Sequence, residues 1–116
     1  MMNLEARTES DAKKAEQADS GFFIAYRLNP NETNPRFIGI SDEQFKKAEA
    51  KMREICNPEI FDGERIYTLK KATVRVSNTQ PYPLLCICGK ERDIIKKTAK
   101  TLGLSFDIEK VREESD

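Results

Sequence analysis

Two stretches of the chain are apolar on both alternating parities. They are Gly21–Leu28 (GFFIAYRL) and Leu84–Cys88 (LLCIC). A strand reads this way when both of its faces are covered. A third stretch, residues 65–77, alternates. Ala72, Val74 and Val76 share one side, and Thr73, Arg75 and Ser77 share the other. This predicts one long strand, or two strands bent or paired about Lys70-Lys71. Two further segments repeat at helical spacing. Phe45, Ala48, Met52, Ile55 and Cys56 form one apolar stripe. Ile94, Ile95, Thr98, Ala99 and Leu102 form another, with Lys96, Lys97 and Lys100 directed away.

The punctuation agrees with these periods. Ser41-Asp42-Glu43-Gln44 has the form of a capping box at a helix start. Asn57-Pro58 predicts the end of that helix, about four turns on. Gly103 is placed to terminate the second helix. Asp62-Gly63 signals a turn, and the segments 29–35 (NPNETNP) and 78–83 (NTQPYP) read as loops. Residues 36–40 (RFIGI) predict a short extra strand, a hairpin partner for the first. Residues 105–111 (SFDIEKV) alternate and predict the last strand. In its strong elements the order is βαββαβ. The expected fold class is therefore α+β, a ferredoxin-like sandwich with two helices on one face of a four-stranded, mainly antiparallel sheet. The two most apolar strands would lie at its centre and the alternating strands at its edges, and the opposite face would be open.

Composition adds boundaries. The chain has 116 residues, a length that suits one domain. Residues 1–20 hold only Met1, Met2 and Leu4 as large apolar side chains and predict a disordered tail. Residues 21–111 are the expected domain, and 112–116 a charged C-terminal tail. Charge is balanced overall at 20 basic and 20 acidic residues, so no global field draws the molecule to nucleic acid or membrane. The balance is uneven, however: residues 65–100 carry a net of +7, and residues 101–116 a net of −3. No apolar run approaches the ~18 residues of a membrane span, and no secretory signal stands at the start, which points to a cytoplasmic protein.

The chemistry is restricted. The chain contains no histidine, which removes Ser-His-Asp and Cys-His nucleophilic sites and His-based metal sites. Cys86-x-Cys88 has neither zinc-knuckle nor redox-helix spacing, and Cys56 is remote in sequence. The thiols are read as small core hydrophobes, with no metal and no cofactor expected. Gly89-Lys90 opens a helix but lacks the upstream glycines and the Ser/Thr of a phosphate-binding loop. It is read as a turn, and an anion contact by Gly89, Lys90 and Arg92 is the weaker alternative.

What remains is surface. If Val74 and Val76 face the helices, a continuous strand would turn Tyr67, Leu69, Lys71 and Arg75 to the open face as a partner-binding patch. The expected function is a non-catalytic protein-binding module, such as an adaptor, inhibitor or regulatory subunit, acting through a charged surface. The alternative is an RNA- or DNA-binding module that uses 65–100 and the open face. Against that, the third strand, LLCICGK, lacks the aromatic residues of the RNA-recognition motif. A small-molecule sensor is a third class, resting on fold analogy alone.

Overall fold

The structure is a computed structural model that describes residues 21–78 and 82–114. The N-terminal tail predicted over 1–20 lies outside the described residues. The elements in order are β1 (Phe22–Leu28), β2 (Phe37–Ile40), α1 (Asp42–Ile55), β3 (Glu59–Phe61), β4 (Glu64–Thr68), β5 (Ala72–Ser77), β6 (Leu84–Gly89), α2 (Arg92–Thr101), a short 3-10 turn at Ile108–Lys110 and β7 (Arg112–Glu113). The class is α+β, with two helices and one mixed sheet of seven strands rather than four.

The sheet runs β2-β1-β6-β5-β4-β3, and β7 shares the outer side of β1 with β2. The two most apolar strands are adjacent at its centre, antiparallel, with Ile24 opposite Ile87. Val74 of β5 faces Ile87 from the other side. These residues, with Tyr26, Val76 and Leu85, share one parity and are fully buried. Phe45, Ala48 and Met52 of α1 and Ile95 and Ala99 of α2 close over them into one core. Both helices thus cover one face. Side chains of the opposite parity on β1, β5 and β6, such as Phe23, Ala25, Thr73, Leu84, Cys86 and Cys88, are half-buried.

Local signals were sufficient at the helix ends. The Ser41 hydroxyl accepts from the Gln44 backbone N–H at 3.1 Å, and the Ser41 N–H donates to Gln44 Oε1 at 2.9 Å. Ser41→Ala is expected to destabilise the fold by about 1 kcal/mol. Urea denaturation checks it, and an unchanged midpoint would mean that water replaces the cap. At the end of α2, Gly103 adopts φ +74°. Its N–H donates to the Lys100 carbonyl, and the Leu104 N–H donates to the Ala99 carbonyl at 2.8 Å. This is a Schellman closure, and it turns Leu104 into the core.

Of the two readings of residues 65–77 the paired one holds, while the edge position of that segment, the seat of 36–40 and the strand at 105–111 are corrected. Residues 65–77 form two paired strands, turning at Lys70-Lys71, with the Leu69 N–H donating to the Ala72 carbonyl at 2.8 Å. β5 is therefore an interior strand, and β3 and β4 extend the sheet beyond it. Residues 37–40 do not form a hairpin with β1 but lie parallel to it, Ala25 opposite Phe37 and Leu28 opposite Ile40. The connecting loop doubles back tightly. Side chains of Asn29, Glu32 and Asn34 each accept from the backbone N–H two residues on, which fixes successive turns. A Cβ on Gly39 would collide with the Asn29 carbonyl, so glycine is what lets this loop close on β2. Finally, 105–111 is not a strand. β2 already occupies the outer side of β1 from Ala25 onward, leaving only Phe22 and Phe23 for a C-terminal partner. The Asp107 carboxylate accepts from the Glu109 N–H and starts the 3-10 turn, after which Arg112 and Glu113 pair, in the segment read as a tail.

Candidate functional site

The hairpin at Lys70-Lys71 changes where the predicted patch residues lie. Pairing places Tyr67 opposite Val74, so Tyr67 belongs to the helix side and is fully buried. Leu69 packs against the same core. Lys71 is exposed at the hairpin tip. Only Arg75 of the four sits on the open face, and its guanidinium is held by Glu64 at 2.8 Å. The four residues do not form one patch, because a two-strand register replaces the single-strand parity on which the patch depended.

Tyr67 instead joins a polar cluster beneath α1. Glu49, on the inner side of that helix, receives the Tyr67 hydroxyl at 2.6 Å and the Arg65 Nη2 at 3.0 Å, with a second, shorter bond from Arg65 Nε. Arg53 adds a contact at 3.6 Å. Burial alone pushes the Glu49 carboxyl up; the bonds from Arg65 and Tyr67 and the two guanidinium charges outweigh it, and the net shift is downward. Burial and the bond to Glu49 push the Tyr67 phenol up. An ionised acid held by two donors and a protonated phenol form a strut between helix and sheet.

Gly89, Lys90 and Arg92 behave differently from one another. Arg92 lies over the Phe22 ring at 4.4 Å and is committed there. Gly89 ends β6 against Ile94. Lys90 is exposed and lines an open cleft of about 1060 Å³ with Lys70, Lys71 and Lys97. Glu91 caps α2 without a side-chain hydrogen bond, and Asp93 pairs with Lys97 at 3.3 Å. Two expected basic features, the hairpin lysines and the α2 start, thus meet in one cleft.

Two other surfaces stand apart from the predicted patch. One is the free edge of the sheet. β3 has no strand on its outer side among the described residues, every residue in it is exposed, and Ile60 and Phe61 are 69% and 70% exposed. The Asp62-Gly63 turn holds this edge out, with both residues at positive φ, 53° and 80°. Such a turn matches the twist of paired strands. The signal in sequence was that turn with apolar residues beside it, but only strand order shows which strand is outermost.

The other is a thiol pair. Cys86 and Cys88, same-parity neighbours on β6, face away from the helices with Sγ atoms 3.8 Å apart. They are half-buried, not enclosed in the core as expected. They open to a recess of about 640 Å³ with Arg75, Glu64 and Glu114 on its polar side and Phe23 and Leu84 on its apolar side. The hydrogen bond between the thiols lowers the Cys86 pKa, helped by the Arg75 charge, and raises that of Cys88, which burial and Glu114 raise further.

No protein-family model, curated protein or solved structure matches the chain. No helix of the described residues is long and apolar enough to cross a membrane.

Proposed function

We propose that the protein is a non-catalytic protein-binding module that receives its partner along the free edge of the sheet. One observation carries this reading. β3 offers an unpaired strand edge whose two large apolar side chains, Ile60 and Phe61, are mostly exposed. Open edges are sites where another chain adds a strand, main-chain bonds supplying affinity and alternating side chains specificity. Natural edges are usually blunted by charge, bulges or proline. Here Glu59 is the one charged residue on a three-residue edge. The charged surface expected to bind the partner becomes a rim that orients it, with the apolar edge as the anchor.

The strand sequence β7-β1-β6-β5 with two helices on one face supports a ferredoxin-like core, extended by β2 on one side and by the β3–β4 hairpin on the other. Domains of that arrangement serve many functions, so the fold itself selects none.

Nucleic-acid binding is the second reading, and the lysine cleft at the start of α2 favours it. One experiment separates the two. Tagged protein is used to capture partners from extract after nuclease treatment, alongside an Ile60→Lys/Phe61→Lys form and a Lys70→Glu/Lys71→Glu form. A stoichiometric protein that survives nuclease and is lost with the first form supports edge binding. Material removed by nuclease, weakened steeply by salt and lost with the second form supports the cleft instead.

A further inference from the structure

We infer that Cys86 and Cys88 form a two-sulfur site for a soft monovalent metal ion, Cu(I). Alternate residues on a strand project from the same face, and β6 is held straight by ladders on both edges, to β1 and to β5. The two thiols are therefore fixed side by side in the open recess. Their geometry disfavours closure to a disulfide. Residues two apart on a strand are separated by about 6.6 Å. A disulfide draws its Cβ atoms to about 3.8 Å, so closing one here would pull two residues of a laddered strand together along its axis. The sulfurs already lean to 3.8 Å, close enough for a single atom to bridge them.

The donor set selects the metal. No group of three or more His, Cys, Asp or Glu side chains suited to a metal exists among the described residues. Zinc in a closed site takes four ligands, and calcium or magnesium takes six or more oxygens. Two thiolates alone satisfy a soft ion that accepts two-coordination, and soft sulfur ligands select Cu(I). Binding displaces both thiol protons to solvent and leaves a complex of net charge −1. Arg75, directly opposite Cys86 in the register, lies beside that charge. Glu64 and Glu114, on the same recess, oppose it, and Glu64 shares the Arg75 guanidinium.

The test is an anaerobic titration of the reduced protein with Cu(I) against a chromogenic Cu(I) chelator. One equivalent per chain is expected. Cys86→Ser or Cys88→Ser should weaken binding by about a hundredfold or more, since the second sulfur acts at high effective concentration. Cys56→Ser should bind as the wild type does. Equal affinity in the wild type and the Cys88→Ser form would overturn the assignment, as would zinc alone binding as tightly as Cu(I). Should the serine forms fail to fold, alkylation of the wild type decides. Bound Cu(I) should protect Cys86 and Cys88 and leave Cys56 reacting at its metal-free rate; no selective protection refutes the site.

Discussion

Ile87→Ala is expected to lower the free energy of unfolding by about 3–4 kcal/mol, a large part of a small domain's stability. Ile87 is fully buried in the central strand, with Ile24 opposite on one side and Val74 on the other, both also fully buried. Truncation removes three carbons from the row on which both helices rest. The ladders on either side of β6 keep the backbone from collapsing into the space, so the cavity term adds to the lost transfer energy. Ile87→Val, which removes one carbon, should cost about 1 kcal/mol. Urea denaturation of both variants checks this. A loss below 1.5 kcal/mol for the alanine form would mean that the helices settle onto the sheet and that the core is less rigid than its packing implies.

Glu49→Ala is expected to cost about 2–3 kcal/mol at neutral pH, through a different mechanism. The substitution strands Arg65 and Tyr67, whose bonds to Glu49 span the helix–sheet boundary, and groups left without partners there lose more than the bond itself contributed. The sign with pH follows from the depressed carboxyl. A group whose pKa is lower folded than unfolded contributes stability above its unfolded value, about 4.3 for glutamate, and loses it as pH falls through the folded value. The gap between wild type and Glu49→Gln should be widest at neutral pH and should shrink below about pH 4. Denaturation series at pH 7 and pH 3 measure it. A gap that is constant with pH would assign the effect to packing and not to charge.

Features determined within a few residues were legible in the sequence. The Ser41–Gln44 box, the stop before Asn57-Pro58, the Asp62-Gly63 turn and the Gly103 terminus all depend on chemistry within one turn of chain, and all occur where expected. The central pairing of the two most apolar strands was legible because their half-buried open-face parity is itself mostly apolar, as in Phe23, Ala25, Leu84, Cys86 and Cys88. What depended on register was not. Tyr67 carries the same alternation whether 65–77 is one strand or two, yet the turn at Lys70-Lys71 moves it from solvent to core. The parallel seat of β2 depends on Gly39 meeting Asn29 across a loop, a contact that no periodicity records. The thiols were visible as a same-face pair, but their half-exposure follows from both helices lying on the other side.

The position of β2 also bears on the order in which the sheet assembles. β1 finds its central neighbour β6 only after roughly sixty intervening residues, and loop closure of that length slows folding. Its parallel neighbour β2 lies within a dozen or so residues, across a loop already bent by its own Asn and Glu side chains. While the chain emerges during synthesis, β1, among its most apolar segments, acquires one covered edge long before the other is available. With β2 in place, only the β6 edge of β1 would remain open to pairing with other chains until β6 arrives.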